Sequence, residues 1–310
     1  MEKRASHLRN GQEIIDDARR EGHEIQIGNQ DLPIAEFAGE IADSITHNVF
    51  TIIKSETGSG KTTQTPQIIF AMGKQVEHTQ PRRSAAHEAA KRIQEELAQA
   101  IPNLPPQTVA VHTGEECTVA PHTQATVFTD GMLLAVGYNA TVNRLEEAKP
   151  DSVTIIDEVH EWNKNQEVLL GLLMKQAKTD PEMRVVLASA TPNMEQLVDR
   201  IVEVTGINPH VIEVPGRTYP IEYIERPELT SVSATLELMK PGAGIMVFKQ
   251  GIGEINDTIH DIERLMPAAM RGKVKFFKYH STIPSAQLSD ACSFDQGEDI
   301  ILPFNRKQCD

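Results

Sequence analysis

The sequence has few residues of the kinds that stabilise secreted or membrane proteins. Its 310 residues include three cysteines and one tryptophan, and aromatic side chains make up 5% of the chain. The cysteines, Cys117, Cys292 and Cys309, are far apart and lack metal-ligand spacing, which argues against a disulfide framework or a zinc site. No run approaches the ~18 apolar residues of a membrane helix, and the first residues lack a signal-peptide core. The composition therefore predicts a soluble protein of a reducing cytoplasm, with no membrane partner.

Positive charge is also scarce. Lys and Arg number 30 against 44 Asp and Glu, which gives a formal net charge of −14. This charge argues against a surface that binds nucleic acid through bulk electrostatics, so any nucleic-acid site must be local. The hydrophobic fraction of 39% is sufficient for a sizeable core. At ~150 residues per domain, the length predicts two globular units.

Apolar runs alternate with amphipathic segments along most of the chain. The runs VFTII, QATVFT, SVTIID and RVVLAS are each followed by a segment with helical patterning. Short apolar strands that alternate with helices are typical of βαβ units, so the pattern predicts an α/β fold with a mainly parallel sheet covered on both faces.

The alternation is interrupted once, by VIEVPGRTYPIEY, whose prolines and glycine indicate a crossing between domains. A second series then starts with GIMVFK and ends with DIILPF, and it predicts the beginning of a second sheet. The predicted organisation is an N-terminal helical extension over 1–31, a first domain over 32–213 and a partial second domain over 214–310.

The strongest local motif is SETGSGKTT, between the predicted strand VFTII and a predicted helix. The N–H groups of a glycine-rich turn and of a helix N-terminus bind phosphate oxygens. Gly58 and Gly60 provide backbone freedom, Lys61 neutralises the outer phosphates, and Thr62 can ligate Mg²⁺. Ser55 occupies the position of the pattern's first glycine. The alternative, a simple connecting turn, is disfavoured by the Lys-Thr pair, so the motif predicts ATP or another nucleotide as ligand.

Two adjacent carboxylates follow the predicted strand SVTII. Asp157 and Glu158 therefore lie at the carboxyl end of a strand, where α/β sheets place their ligand crevice. Asp157 can hold Mg²⁺ directly or through water, and Glu158 can orient and deprotonate the water that attacks the γ-phosphoryl group. Alone, such a pair is common in solvated turns. Together with the phosphate loop, it predicts a hydrolysis site.

The segments GSGKTTQTPQ, TQPRRSAA, TDGMLL, DEVH, SAT and VPGRTYPIEY occur in the order found in DEAH-box helicases. From about residue 32 to residue 285 the chain resembles that family. TQPRR and TDGMLL are more specific than the phosphate loop, because kinases, transporters and small GTPases share the loop alone. The resemblance implies a RecA-like P-loop domain, a partial second RecA-like domain, ATP and Mg²⁺ as cofactors, and RNA, single-stranded or duplex with an overhang, as partner.

The resemblance also implies roles for individual residues of the nucleotide site. The triphosphate and its metal would be held by Gly58, Ser59, Gly60, Lys61, Thr62 and Thr63. Thr62 and Asp157 would be the Mg²⁺ ligands, and Lys61, Asp157 and Glu158 would serve catalysis. His160 would link the site to the second domain. Ser189 and Thr191 would couple hydrolysis to unwinding through hydrogen bonds to the DEVH segment. Without the resemblance, His160 is an ordinary half-buried histidine and the hydroxyls are helix caps.

A second set of residues resembles the family's RNA-backbone contacts. These are Arg82 and Arg83 in TQPRR, Thr129 and Asp130 in TDG, and Ser281 in YHSTIP. Contacts to phosphates position a strand without reading its sequence, which suits an enzyme that moves along any RNA. The alternative for Arg83 is a solvated helix arginine.

The chain departs from the family pattern in several places. Val159 replaces the alanine of the DEAH box, and Trp162 stands where an arginine is expected. After His280 no glutamine- and arginine-rich motif follows, and the winged-helix and ratchet-like domains are missing. Because an arginine finger contributes roughly 10³ to 10⁵ in rate, hydrolysis and unwinding by this chain alone are expected to be impaired. A truncated gene, a fragment, and a product that needs an activating protein partner would each explain this ending.

Three functional hypotheses follow. The leading one is an ATP-dependent RNA helicase-type protein that couples hydrolysis to strand movement. The alternative is a non-catalytic nucleotide- and RNA-binding module or truncated remnant. A P-loop kinase or transporter ATPase is the third, and it predicts hydrolysis that is indifferent to RNA.

Overall fold

The chain divides into two compact units, residues 1–220 and 221–310. The computed structural model describes residues 9–144, 151–190, 194–216, 222–279 and 300–306, with backbone alone for 138–144, 279 and 300–306. The division falls within the proline- and glycine-containing segment that the sequence indicates as a crossing. Each unit contains a sheet of its own.

The first unit is built on a seven-stranded sheet in the order β3-β4-β2-β5-β6-β1-β7. All neighbouring strands are parallel, which confirms the predicted α/β class. The strands are β1 Phe50–Ser55, β2 Gln75–Gln80, β3 Val109–His112, β4 Ala125–Thr129, β5 Ser152–Ile156, β6 Arg184–Ser189 and β7 His210–Val214. Because all strands run in the same direction, their carboxyl ends meet at one edge of the sheet.

Helices cover both faces of this sheet. They are α1 Gly11–Arg20, α2 Ala38–His47, α3 Lys61–Ala71, α4 Arg83–Ala100, α5 Asp130–Arg144, α6 Lys164–Ala177 and α7 Glu195–Thr205. One buried cluster includes Ile53 and Phe70 with residues of α1 to α4, and the other includes Ile52 and Leu170 with residues of α5 to α7. Neighbouring residues of β1 thus point to opposite faces, as expected for a strand buried on both sides.

The first helix is part of this core. Asn10 and Glu13 form a reciprocal capping box that begins α1 at Gly11. Ile14 and Ile15 of α1 are buried in the same cluster as Phe70 of α3. A Cβ atom on Gly11 would collide with the backbone oxygen and the ring of Phe70. Glycine at this position therefore allows α1 to lie directly against α3.

The interpretation of VIEVPGRTYPIEY as a crossing is wrong for its first four residues. Val211 to Val214 belong to β7, which pairs with β1 at the edge of the first sheet. Ile212 and Val214 are buried, whereas Val211 and Glu213 are exposed. This alternation is typical of an edge strand with one packed face, and the strand ends just before Pro215, which has no N–H to donate.

The described part of the second unit has a three-stranded parallel sheet in the order β8-β10-β9. Its elements are α8 Ser231–Leu238, β8 Val247–Lys249, α9 Ile252–Leu265, β9 Val274–Tyr279 and β10 Ile300–Arg306. Ile255 and Ile262 of α9 are fully buried in its core. Ser281 and the helix predicted after Pro284 lie outside the described residues. Within the described ranges, no helix combines the length and apolar character needed to cross a membrane.

Candidate active site

The phosphate-loop motif connects β1 to α3 at the carboxyl edge of the first sheet. Gly58 and Gly60 have φ angles of 89° and 97°, a conformation that glycine adopts at low cost. At Gly60, a Cβ atom would also lie 2.8 Å from Cδ1 of Leu32. The left-handed backbone angle therefore favours glycine here, and a side chain would in addition displace the end of Leu32. α3 begins directly after the loop, and the N–H groups of Thr63 and Gln64 donate to the backbone oxygen of Gly60 at 3.1 and 2.8 Å. The N–H groups of Lys61 and Thr62 are therefore the ones that the helix itself leaves without a partner.

Ser55 gives this loop a contact that the usual glycine cannot make. The Ser59 hydroxyl donates to Oγ of Ser55 at 2.7 Å, and both side chains are buried. The backbone oxygen of Ser59 also accepts from the N–H of Ile34 at 3.2 Å. These bonds hold the loop from inside, and the Ser59 N–H donates to the backbone oxygen of Glu56 at 3.3 Å.

Two pairs of side chains converge across the site from segments far apart in sequence. Lys61 Nζ lies 3.0 Å from Oε1 of Glu158, and the Thr62 hydroxyl donates to Oδ2 of Asp157 at 2.7 Å. Lys61 is only 5% exposed. A hydroxyl and a carboxylate oxygen at this separation are the hard ligands that Mg²⁺ prefers. The donor set therefore fits a magnesium-bound phosphate ligand.

Asp157 is completely buried and accepts four hydrogen bonds. Besides the Thr62 hydroxyl, Oδ2 faces Nε2 of Gln80 at 2.7 Å and Nε2 of His78 at 3.3 Å. Oδ1 accepts the backbone N–H of Glu158 at 2.8 Å. Burial alone would raise the pKa of Asp157, but the hydrogen bond from His78, with further contributions from Lys61 and Thr62, holds the pKa at about 2. Asp157 is therefore an anion at neutral pH.

The chain turns sharply after this carboxylate. Glu158 has φ 51° and ψ 39°, left-handed values that are uncommon for a residue other than glycine. Nδ1 of His160 then lies 3.4 Å from Oε2 of Glu158 and 3.4 Å from the backbone N of Ala190. A ring protonated only on Nε2 accepts from Ala190, whereas an imidazolium donates to Glu158. His160 thus links the DEVH segment to the end of β6, where Ser189 is buried. Thr191 lies outside the described residues.

Thr63 points to another part of the fold. Its hydroxyl accepts from Nε2 of Gln64 at 2.9 Å, and its backbone oxygen accepts from Nε2 of Gln67 at 3.0 Å. The same two amide nitrogens donate to Oε2 of Glu96 on α4 at 2.7 and 2.6 Å, while Oε1 of Gln64 accepts from the backbone N–H of Asn29. This network ties the first turns of α3 to α4 and to the segment before α2. Sequence reasoning missed it, although the glutamines lie within the quoted segment GSGKTTQTPQ.

The described residues predicted to contact RNA line one groove of about 600 Å³, called here the helix-end groove. It lies where α4, α5 and α6 begin, and its lining includes Arg82, Arg83, Thr129, Asp130, Lys164 and Asn165. Lys164 and Asn165 were not predicted, since nothing in EWNKNQ resembles a known contact motif. Arg82 is paired with Glu161 at 3.4 Å, and Arg83 forms an ion pair with Glu115. Exposed pairs of this kind contribute little stability and exchange partners readily.

Asp130 differs from the other residues of the groove because it is only 2% exposed. Burial raises its pKa, and the hydrogen bond from Nδ2 of Asn163, 2.7 Å long, offsets part of that effect. Oδ1 of Asn163 accepts from the N–H of Gln166 and so caps α6. The contacts of Asp130 therefore join the start of α5 to the start of α6.

Comparison with known proteins identifies the family of the chain. The model of the DEAD/DEAH box helicase family matches residues 38–199. ATP-dependent RNA helicase HrpA from Escherichia coli (strain K12) is 32% identical over 251 residues, which cover 76% of this chain and 18% of that protein. The probable ATP-dependent RNA helicase kurz from Drosophila melanogaster is 29% identical over 293 residues, which cover 85% of this chain and 23% of that protein. The chain thus spans about a fifth of the length of these relatives.

A solved structure shows the same fold. The crystal structure of the Escherichia coli DEAH/RHA helicase HrpB matches with a TM-score of 0.70 at 22% sequence identity, over 88% of this chain and 34% of that chain. The match identifies the fold as RecA-like, in agreement with the sequence prediction.

Proposed function

Because the chain belongs to the DEAD/DEAH box helicase family, we propose that it binds Mg-ATP at the carboxyl edge of its first sheet and couples hydrolysis to movement along RNA. The observation that carries this proposal is the convergence of the phosphate loop and the DEVH segment. Lys61 and Glu158 lie 3.0 Å apart, and Thr62 and Asp157 lie 2.7 Å apart. One nucleotide can therefore contact all four side chains.

Each of these residues has a distinct part in the proposed reaction. The N–H groups at the start of α3 and the ammonium of Lys61 would bind the phosphates. Thr62 and Asp157 would hold Mg²⁺, which supplies charge neutralisation at the β- and γ-phosphates when bound. Glu158 would orient the attacking water and accept its proton. His160 would couple a change in Glu158 to the end of β6, because its Nδ1 lies 3.4 Å from the backbone N of Ala190.

The helix-end groove is the proposed path of the RNA backbone in the first unit. Arg82, Arg83 and Lys164 supply cations, and Thr129 and Asn165 supply uncharged donors. A strand that replaces Glu161 and Glu115 as partners of the arginines would exchange weak exposed ion pairs for phosphate contacts. Asp130 would act by holding α5 against α6. Ser281 remains a proposed contact of the second unit.

The experiment that tests the proposal measures ATP turnover by the purified chain with and without single-stranded RNA. We expect hydrolysis to depend on Mg²⁺ and to increase when RNA is added. Tight binding of Mg-ATP without turnover would favour the non-catalytic module. Turnover that is indifferent to RNA would contradict the assignment of an RNA-coupled enzyme.

A separate prediction concerns the groove. Replacement of Arg82 by alanine should weaken single-stranded RNA binding several-fold and reduce the slope of log affinity against log salt by about 1, because one phosphate contact is lost. Thr129→Ala should weaken binding without a change in slope, since an uncharged donor is removed. The measurement is fluorescence anisotropy with a labelled RNA at several salt concentrations.

The matched control is Arg200→Ala, which removes an exposed arginine from α7 outside the groove. It should leave both affinity and salt slope unchanged. Equal effects of Arg82→Ala and Arg200→Ala, or no effect of Arg82→Ala and Thr129→Ala, would contradict the proposed path.

A further inference from the structure

His78 lies in the interior of the first unit and is only 1% exposed. It is on β2, two residues before Gln80, so both side chains point to the same face of the strand. β2 pairs in parallel with β5, and Thr79 lies opposite Ile156, the residue before Asp157. The register of these strands therefore brings His78 and Gln80 to the carboxylate that follows β5.

Three donors compete for one oxygen of this carboxylate. Oδ2 of Asp157 faces Thr62 Oγ1 at 2.7 Å, Gln80 Nε2 at 2.7 Å and His78 Nε2 at 3.3 Å. The Thr62 hydroxyl is also a proposed Mg²⁺ ligand. When its oxygen binds the cation, the cation determines the direction of its O–H bond. The bonds from β2 come from the protein interior and do not depend on the ligand. His78 and Gln80 are thus the donors that can fix Asp157 both with and without bound Mg²⁺.

The proton on the His78 ring can be assigned from its surroundings. Nδ1 is buried and has no hydrogen-bond partner within the described part of the chain, whereas Nε2 faces a carboxylate. A proton on Nδ1 alone would leave a buried N–H unsatisfied and would place a nitrogen lone pair against an anion. Nε2 of His78 also lies 3.0 Å from Nε2 of Gln80, so an unprotonated Nε2 could accept from that amide, but the buried Nδ1–H would still lack a partner and the lone pair would still face Oδ2 of Asp157 at 3.3 Å. A proton on Nε2 avoids both penalties. The Nε2 atom of His78 is therefore the donor, and Gln80 Nε2 donates to Asp157 beside it.

We propose that His78 is a positioning residue of the nucleotide site: its Nε2–H group fixes the Asp157 carboxylate in the orientation that binds Mg²⁺ of the Mg-nucleotide. This inference rests on the proposed function and extends it to a residue that the phosphate-loop and DEVH motifs do not contain. Residues that orient a metal ligand through a hydrogen bond typically alter metal affinity about 10- to 100-fold when they are replaced.

The experiment measures how the binding of a fluorescent ATP analogue depends on Mg²⁺ concentration. His78→Leu, which has no donor, should raise the Mg²⁺ concentration at half-maximal binding roughly 10-fold. His78→Gln, whose amide can donate from a similar position, should restore the wild-type value within about 3-fold. Analogue binding in EDTA should be the same in all three proteins, because phosphate contacts of the loop do not involve His78.

His112→Leu is the matched control, because His112 lies on β3 of the same sheet and packs against Phe128. It should leave the Mg²⁺ dependence unchanged. Should His78→Leu fail to fold, His78→Met provides a second side chain without a donor. An unchanged Mg²⁺ dependence in the donor-free variant, or an equal loss in His78→Gln, overturns the role of the Nε2–H group. If the wild-type chain shows no Mg-dependent binding, the proposed function itself fails.

Discussion

Replacement of Glu158 by glutamine is expected to reduce RNA-stimulated ATP hydrolysis at least 100-fold, because a positioned general base contributes about 10²- to 10⁴-fold. Binding of Mg-ATP should persist. The amide oxygen of glutamine can still accept from Lys61, which lies 3.0 Å from Oε1 of Glu158. The variant should therefore lose its rate of hydrolysis at saturating nucleotide and keep its affinity for Mg-ATP. Hydrolysis is measured by phosphate release, and binding by titration with a fluorescent ATP analogue.

Lys61→Ala provides the complementary result. This lysine is the cation proposed to neutralise the outer phosphates, so its removal should weaken nucleotide binding as well as hydrolysis. The matched control is Lys54→Ala, which removes another lysine near the end of β1, paired with Glu213 at 2.7 Å. The control should retain both activities. Wild-type turnover in Glu158→Gln would show that another group activates the water.

Replacement of Asp157 by asparagine is expected to have the largest effect on stability. The two side chains have nearly the same shape, but the amide NH₂ must replace one carboxylate oxygen. At Oδ2 it would face the donors of Thr62, Gln80 and His78, and at Oδ1 it would face the N–H of Glu158. Because this buried amide N–H would face other donors in place of acceptors, the substitution should lower the free energy of unfolding by about 2–4 kcal/mol.

For a unit of this size, such a loss lowers the melting temperature by roughly 5–15 °C. Thermal unfolding monitored by circular dichroism measures the shift. Glu158→Gln is the matched control, because Glu158 is partly exposed and its amide should change stability by less than about 1 kcal/mol. Equal melting temperatures of Asp157→Asn and wild type would contradict the hydrogen-bond network.

The same carboxylate predicts a pH dependence. The pKa of Asp157 is lowered from 3.8 to about 2, so the unfolded state binds more protons than the folded state between these values and stability rises with pH there. About 2 kcal/mol of stability is therefore present above pH 4 and is lost as the pH falls toward 2. Between pH 6 and pH 3, the difference in melting temperature between wild type and Asp157→Asn should narrow. A constant difference would contradict the lowered pKa.

The sequence was sufficient to predict the strands that carry the site and several of its reactive residues. Lys61 and Thr62 follow β1, and Asp157 and Glu158 follow β5, as the apolar runs VFTII and SVTII indicate. Side chains at the carboxyl ends of parallel strands lie at one edge of a sheet. Their convergence therefore follows from local patterns alone. Their roles in binding and hydrolysis remain predictions.

β2 shows why hydropathy misses part of the sheet. Its sequence QVEHTQ contains one apolar residue, yet Val76, His78, Thr79 and Gln80 are all buried. His78 and Gln80 are accommodated in the interior because Asp157 accepts their hydrogen bonds. Such a strand can be predicted only when its partner is known, and Asp157 is 79 residues from His78 in the sequence.

Asp130 illustrates a different limit. The motif TDG predicts an RNA contact, and Asp130 lines the helix-end groove, but the motif does not indicate how deeply its side chain is buried. The side chain is almost fully buried beside Asn163, which lies 33 residues later in the chain. A family motif therefore locates a residue along the chain, while the side chains around it determine whether it can touch a ligand.

The packing of α1 against α3 has a practical meaning for any shortened version of this protein. A version that starts at residue 32, where the family resemblance begins, would lack the helix that covers Phe70 through Gly11. The newly exposed apolar surface would belong to α3, whose first turn carries Lys61 and Thr62. Deleting a segment without reactive groups would thus destabilise the helix that carries the phosphate-binding turn and promote self-association of the shortened protein.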